Sequence, residues 1–294
     1  MRALIVAYLG FLLLLGCRQD EKVPERFYPR NDHEAYWHHL RQANLLETAL
    51  GKEWLAAAAR TFEHPIKVRL PYQEVFELPN RRAEAYGYRF QVNRGQKVLI
   101  RLDLASEDSA AVFIDLFRID NDSLQDYRHV ASADSAFDLG FEPRKDAPYL
   151  LRLQPELLRG GLFTLTIETV ASLDFPVAGK GRRAIQSFFG DPRDGGRREH
   201  HGVDIFAKRH TPILAPTDGR IRSVDTKKLG GKVVWLYDQQ RGAHLYFAHL
   251  HEQKVVERQQ VQKGDTLVTV GNTGNARFTH PHLNFGFYKN GPID

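Results

Sequence analysis

The stretch from Ile205 to Asp294 constrains the fold of this chain most, because it shows no helical periodicity. Its glycines and prolines recur between short apolar runs in which apolar and polar residues alternate. Alternation places successive side chains on opposite faces of a strand, and clustered Gly and Pro favour turns. The pattern predicts a compact all-β domain, with strands at Gly219–Val224, Lys232–Tyr237, His244–His249, Thr266–Val270 and His282–Tyr288.

A second β-rich region, from Lys67 to Val170, has alternating runs separated by Asn, Asp, Gly and Pro clusters about every ten residues, which favours an antiparallel sandwich. The runs are Tyr86–Gln91, Lys97–Leu102, Val112–Ile119, Tyr149–Leu153 and Leu162–Glu168. Their order, with Arg94-Gly95-Gln96, Ile114-Asp115-Leu116, Ala147-Pro148-Tyr149 and Gly161-Leu162-Phe163, resembles the pre-peptidase β-sandwich domains of secreted bacterial proteases.

A helical segment precedes the sandwich. Apolar residues recur at helical spacing, and they are Tyr36, Leu40, Ala43, Leu46, Leu50, Trp54 and Ala57. We expect one long helix or a helical hairpin from about His33 to Phe62, with Asp32 as the N-cap and Gly51 as the weak point.

The first 17 residues are typical of a targeting segment. Arg2 precedes the apolar run Ala3–Leu15, which is short for a bilayer span, and the run leads to Cys17. Leu14-Leu15-Gly16-Cys17 resembles the lipobox of bacterial lipoproteins, and this resemblance implies lipidation of Cys17 and a membrane-anchored, periplasm-facing protein. The alternative is an ordinary secretory signal with a chance cysteine.

The charge balance excludes one class of partner. A formal net charge of +5 and the lack of Lys/Arg blocks with interleaved aromatics argue against nucleic-acid binding. Cys17 is the only cysteine, so the chain forms no internal disulfide.

Histidines are concentrated near the C-terminus, where positions 200–294 hold eight of the 13 in the chain. Neutral imidazole is the commonest protein metal ligand and a good acid–base near neutral pH, so the concentration indicates a zinc hydrolase site. Strand alternation predicts that His249 shares a face with Leu245 and Phe247, and that His282 and Asn284 share the face opposite the core.

Six motifs recur in order over residues 186–294. They are His200-x-Gly202-x-Asp204, Thr211-Pro212-Ile213-Leu214-Ala215 with Asp218-Gly219, Tyr246-Phe247-Ala248-His249-Leu250, Val261-x-Lys263-Gly264-Asp265, Gly271-Asn272-Thr273-Gly274-Asn275-Ala276 and His282-Leu283-x-Phe285. Together they resemble the catalytic domain of lysostaphin-type zinc metalloendopeptidases, bacterial enzymes that cut peptide cross-links of peptidoglycan.

The resemblance implies a residue-by-residue assignment. His200 and Asp204 would be Zn²⁺ ligands, and His249 and His282 would assist catalysis. The expected partners are peptidoglycan peptides and, through Cys17, a membrane of the bacterial cell envelope.

One position departs from the family. The third zinc ligand is the second histidine of a His-x-His pair, and this chain has Asn284 there, whose amide oxygen is a poorer zinc donor than imidazole. A two-residue slip of the strand would keep side-chain parity and make His280 and His282 the pair instead. His201, His210, His244 and His251 are expected at the surface or in the groove wall, His251 just past the strand end.

Two functions stay open on the sequence. One is a cell-envelope zinc endopeptidase with activity impaired by Asn284, and the other is a non-catalytic peptidoglycan-binding or regulatory relative without zinc. The predicted order is a lipoprotein signal (1–17), a tether (18–31), the helical segment (32–64), the sandwich (65–170), a linker (171–185) and the peptidase-like domain (186–294).

Overall fold

The computed structural model describes residues 29–105, 111–121, 126–133 and 137–294, so Cys17 and the predicted signal lie outside the described residues. Within these ranges the protein is mainly β, as predicted, with helices α1 (Asp32–Gln42) and α2 (Ala49–Glu63) at the N-terminal end. No helix among the described residues is both long and apolar enough to cross a membrane.

Among the described residues, the sandwich contains nine strands in two sheets. They are β1 (Ile66–Lys67), β2 (Tyr72–Leu78), β3 (Tyr86–Val92), β4 (Gln96–Leu104), β5 (Val112–Asn121), β6 (Asp126–Ser132), β7 (Asp138–Phe141), β8 (Ala147–Pro155) and β9 (Gly161–Ala171). One sheet has the order β1-β3-β8-β5-β6, in which β1 and β3 are parallel, and the other has the order β2-β9-β4-β7. Their inward faces enclose one apolar core that includes Tyr88, Leu116 and Phe163.

The two helices form a hairpin that covers the outer face of the first sheet. Trp54 is 1% exposed, its indole N–H donates to the Pro155 carbonyl (2.9 Å), and its own carbonyl accepts from the Gln154 amide (2.8 Å). Strand β8 is therefore buried on both faces, which explains why its apolar run is nearly continuous.

Two details of the helical prediction are wrong. The hairpin breaks at residues 43–48, where Asn44 has a φ of 59°. Gly51 does not interrupt the helix but lies inside α2. A Cβ at this position would lie 2.1 Å from the Leu45 carbonyl oxygen, so the close approach of the two segments requires glycine. The N-cap of α1 is Asn31, whose side chain accepts from the Glu34 N–H (2.8 Å), so Asp32 is the first helical residue.

The C-terminal domain is built on one highly connected sheet. Its strands are β10 (Ile185–Ser187), β11 (Pro192–Arg193), β12 (Arg198–Glu199), β13 (Val203–Phe206), β14 (Pro212–Leu214), β15 (Gly219–Lys227), β16 (Gly231–Asp238), β17 (Ala243–Gln253), β18 (Gln260–Val261), β19 (Thr266–Val270), β20 (His282–Tyr288) and β21 (Pro292–Ile293). The central order is β10-β13-β20-β17-β16-β15-β18, and β14 pairs with β19, which pairs with β17. The short pair β11–β12 lies apart from this sheet.

The segment between the two β regions packs against the C-terminal domain. Val177 is 1% exposed, lies in the apolar core of that domain and forms a bridge with Ile213. Backbone hydrogen bonds from Asp174 to the Pro216 carbonyl and from Ala178 to the Pro212 carbonyl hold the segment along β14.

Arg241 joins the sandwich to the C-terminal domain. Its guanidinium makes a bidentate pair with Glu142 of the sandwich (2.6 and 2.7 Å) and also bonds Asp238 (2.6 Å), which is fully buried. A further N–H donates to the Ser172 carbonyl (2.6 Å). Planar, bidentate recognition of this kind is specific to arginine.

We predict that Arg241→Gln lowers the free energy of unfolding by about 3 kcal/mol, because it leaves the buried Asp238 carboxylate without its charge partner. Urea denaturation measures the change. Arg220→Gln is the matched control, since exposed Arg220 makes one 3.3 Å bond to the Arg258 carbonyl, and it should change stability by less than about 0.5 kcal/mol. Equal stability of the two variants would contradict the role given to Arg241.

A second prediction concerns His33 of α1, which stacks on Trp54 and bonds Gln154 (2.7 Å). Burial, then the charge of Arg152, lower the pKa of His33 to about 4. The unfolded chain, with a histidine pKa of about 6.5, therefore binds this proton first as the pH falls, so stability decreases between pH 6.5 and 4.

The expected loss at pH 5 is about 2 kcal/mol relative to pH 8. Unfolding of His33→Gln should lack this component of the pH dependence, whereas the exposed control His39→Gln, on the same helix, should retain it. An unchanged pH profile in His33→Gln would contradict the assignment.

Candidate functional site

The site lies on three adjacent strands of the C-terminal sheet, β13, β20 and β17. Asp204 pairs with Asn284 across β13 and β20, and Ala248 pairs with Asn284 on the other side. Ile205 and Leu283 point the opposite way into the core and are at most 1% exposed. The predicted alternation of His282 and Asn284 against Leu283 and Phe285 is confirmed.

Gly202 lets the start of β13 approach β20 closely. A Cβ at this position would lie 2.4 Å from the Phe285 carbonyl oxygen, so any side chain would push the two strands apart. The motif His200-x-Gly202-x-Asp204 thus has a structural reason for its glycine, since the approach brings His200 and Asp204 beside Asn284.

His200 is 3% exposed, and contacts to the Nδ1 side of its ring fix its orientation. Its Nδ1 lies 3.1 Å from the Phe188 carbonyl oxygen and 3.2 Å from the Ser187 hydroxyl. Its Nε2 is thereby directed at Asp204, whose Oδ1 is 3.2 Å away. Ring nitrogens fixed in this way are typical of metal-binding histidines.

Asn284 completes a compact triangle with these two side chains. Its amide nitrogen lies 2.6 Å from His200 Nε2 and 3.0 Å from Asp204 Oδ1. The terminal atoms of an asparagine and the Nδ1 of a histidine are the same number of bonds from Cα. The Asn284 amide therefore reaches as far toward His200 and Asp204 as a histidine Nδ1 at this position would. The slipped register is not present, because Asp204 pairs with Asn284 and the His280 side chain is exposed.

The two predicted auxiliary histidines lie beside this triangle. The rings of His249 and His282 are 5.0 Å apart and 7% and 5% exposed. His282 Nδ1 bonds the His280 carbonyl (2.8 Å) and its Nε2 lies 3.9 Å from Asp204 Oδ1, while Phe206 stacks on its other face.

His249 reaches the site by a route that strand alternation did not predict. Leu245, Phe247 and Leu250 lie in the core, and the ladder with β16 shifts register near this point, so His249 does not share the face of Phe247 as expected. Its φ of 62° turns the side chain, and its Nδ1 bonds the Thr273 carbonyl (2.9 Å). The face prediction for His249 is therefore wrong, although its proximity to His282 is as expected.

The other C-terminal histidines lie outside the triangle. His201 and His210 are exposed and His244 is half-buried. His251 was predicted just past the end of the strand. This prediction is wrong, because β17 extends to Gln253 and includes His251.

Arg193 is a site residue that no motif indicated. Its guanidinium donates to Asp204 Oδ2 (2.7 Å) and to the Ser187 hydroxyl (2.5 Å), and it lies 2.9 Å from His200 Nδ1. It comes from β11, which pairs with β12 and so folds back on His200. Only the tertiary arrangement of this pair brings Arg193 to the site.

Electrostatics favour an ionised Asp204 and a neutral His249. Burial would raise the pKa of Asp204, but the His200 hydrogen bond and the charges of His200, His282 and Arg193 outweigh it and lower the pKa. Burial, then the charge of His282, lower the pKa of His249 to about 4. At neutral pH the site therefore offers a carboxylate and an imidazole able to accept a proton.

These residues fit a zinc ion in number and spacing. Tetrahedral zinc with bonds of about 2.0–2.1 Å separates its donors by about 3.3 Å. Two sides of the triangle, at 3.2 and 3.0 Å, are close to this spacing, and the third, between His200 and Asn284, is 2.6 Å and would have to lengthen. The third donor is chemically weak, because a neutral amide oxygen replaces an imidazole. Rotation of the amide by 180° would direct that oxygen at the ion, since the two ends have the same shape.

Comparison with known proteins agrees with this geometry. Residues 198–294 match the model of Peptidase family M23. The L-Ala--D-Glu endopeptidase of Bacillus subtilis is 32% identical over 123 residues, which are 39% of this chain and 37% of the relative. Peptidoglycan DD-endopeptidase ShyC of Vibrio cholerae is 33% identical over 103 residues, 34% of this chain and 22% of the relative.

Among solved structures, the catalytic domain of lysostaphin from Staphylococcus simulans is 27% identical, with a TM-score of 0.32 over 35% of this chain and 77% of that one. The matches to the curated relatives span less than two fifths of their length. The predicted resemblance is confirmed for the C-terminal region, where residues 198–294 are similar to Peptidase family M23.

Proposed function

We propose that this domain is a zinc-dependent endopeptidase that acts on the peptide cross-links of peptidoglycan in the bacterial cell envelope. One observation carries the proposal: His200, Asp204 and Asn284 converge on one point, beside the two imidazoles of His249 and His282. The M23 match and the names of the relatives supply the reaction class and the substrate class.

Each side chain has a defined part in this proposal. His200 Nε2, Asp204 Oδ1 and the Asn284 amide oxygen would hold Zn²⁺, with a fourth position open. Bound zinc would polarise the scissile carbonyl and lower the pKa of water. Arg193 holds the second oxygen of Asp204, and the Phe188 carbonyl and Ser187 hydroxyl orient His200.

The auxiliary histidines move protons. Each ring is anchored through Nδ1 to a backbone carbonyl, Thr273 for His249 and His280 for His282. If Nδ1 carries the proton, Nε2 is the free base that faces the groove. Burial keeps His249 neutral at pH 7, so its Nε2 lone pair is not protonated before substrate binds.

A lipid anchor at Cys17 would place the domain at the membrane surface facing the periplasm. This part of the proposal rests on the lipobox resemblance, since Cys17 is outside the described residues.

A specific observation favours a second function, a peptidoglycan-binding or regulatory domain that works without zinc. In the described arrangement the Asn284 amide can donate to both His200 and Asp204, and Arg193 neutralises the Asp204 charge. The polar groups of the site are thus satisfied internally, a state that competes with metal binding.

We predict that Asn284→His tightens zinc binding in the groove by at least about 10- to 100-fold, because an imidazole replaces the weak amide donor. Competition with a chromophoric chelator measures the affinity. Asn275→His, which adds an exposed histidine in the same domain, is the control and should leave the groove affinity unchanged. An unchanged affinity in Asn284→His would remove Asn284 from the ligand set.

We predict that wild-type protein releases muropeptides from purified sacculi, and that His249→Gln and His282→Gln each reduce the rate by about 10²- to 10⁴-fold while zinc still binds. Mass spectrometry of the released fragments gives rate and bond. His244→Gln, on the same strand as His249, should keep the wild-type rate.

The two functions differ in one result. Sacculus binding without release by the wild type, together with release by Asn284→His, would support the zinc-free binding domain and overturn the endopeptidase proposal.

A further inference from the structure

A second group of metal-type side chains lies outside the M23 groove. His210, His251 and Glu252 each offer one ligand atom, and these atoms lie within 4.8 Å of one another. The two imidazole rings are 4.2 Å apart and nearly perpendicular, at 75°. Among the residues that the structure describes, no other three His, Cys, Asp or Glu side chains bring their ligand atoms within this distance of one another.

The β ladder holds these three residues together. Leu250 of β17 pairs with Val270 of β19, which places the following residue, His251, near the end of β19. The Val270 carbonyl accepts from the His210 N–H (2.9 Å), and the Val270 N–H donates to the Thr211 carbonyl (2.9 Å). Residues far apart in the chain thus meet at the C-terminal end of β19 through a single residue, Val270.

Glu252 is anchored by its backbone as well. Its N–H donates to the Thr269 hydroxyl (3.2 Å), one residue before Val270. The backbones are fixed, while the His210 and Glu252 side chains are exposed and the His251 side chain is half-buried. The side chains can therefore adjust without a change in the fold.

We propose that His210, His251 and Glu252 form a second binding site for a divalent first-row metal ion, with Zn²⁺ as the reference ion. Two imidazoles and one carboxylate are a recognised zinc donor set that leaves a position for water. The donor atoms must close from at most 4.8 Å to about 3.3 Å, which rotation of exposed side chains achieves.

The charges around this site limit its affinity. Lys232 Nζ bonds the His251 carbonyl (2.9 Å), and Arg209, next to His210, bonds Asn272. The positive charges of Lys232 and Arg209 repel a metal ion and offset the attraction of the one carboxylate, Glu252. Binding is therefore weaker than in a buried structural site.

The donors of this site are chemically stronger than those of the groove. The groove offers one imidazole, one carboxylate and one amide, whereas this site offers two imidazoles and one carboxylate. Zinc measured on the whole protein therefore counts both sites, and a bulk stoichiometry by itself does not report on the groove.

The test is a Zn²⁺ titration of the full chain at pH 7.5 against a chromophoric chelator, on wild type, His251→Gln and Asp204→Asn. We expect His251→Gln to bind one zinc equivalent fewer than wild type, and Asp204→Asn to lose the other equivalent. His244→Gln, which removes another histidine of β17, should match wild type.

A site-resolved readout accompanies the titration. Long-range ¹H–¹⁵N NMR of the histidine rings should show shifts of His210 and His251 on addition of Zn²⁺ to Asp204→Asn, in which the groove site is impaired. Equal zinc binding by His251→Gln and wild type, or unshifted His210 and His251 rings, overturns the second site. Loss of zinc by Asp204→Asn without these shifts would leave the groove proposal intact, so failures of the two proposals are distinguishable.

Discussion

The antiparallel ladder of β13, β20 and β17 is the constraint on which the site depends. Its register pairs Asp204 with Asn284 and Asn284 with Ala248, so groove side chains come from three strands at fixed spacing. Ile205, Leu283 and Phe247 on the opposite face are sealed in the core. A one-residue slip would turn these apolar side chains out of the core and the polar side chains into it, so their burial also fixes the face on which the polar side chains meet.

Within that frame, charge balance decides the state of the groove. Asp204 is buried, and its ionised form persists because His200, Arg193 and the Asn284 amide all interact with its two oxygens. Zinc would have to compete with those contacts, and Asn284 would have to exchange a donated hydrogen bond for a coordinated oxygen. The same three side chains thus support either a metal centre or a closed polar network.

Most of the fold followed from local patterns. The alternating runs around β15, β16, β19 and β20 and those of the sandwich were located correctly, because burial of one face imposes a period of two. The helical hairpin was one of two predicted forms. The position of its break was not predicted, because it depends on the close approach of Gly51 to the Leu45 carbonyl, a contact outside helical periodicity.

The sequence by itself determined the family resemblance and most of the strand pattern, and it predicted which residues would lie in the groove, since motifs and alternation are properties of the local order of residues. Tertiary structure alone decided three other features. It turned His249 into the groove through a register shift and a positive φ, brought Arg193 to Asp204 by folding β11 and β12 back, and gathered His210, His251 and Glu252 near the end of β19. Each depends on contacts between residues distant in the chain or on a local break in periodicity, and a regular pattern encodes neither.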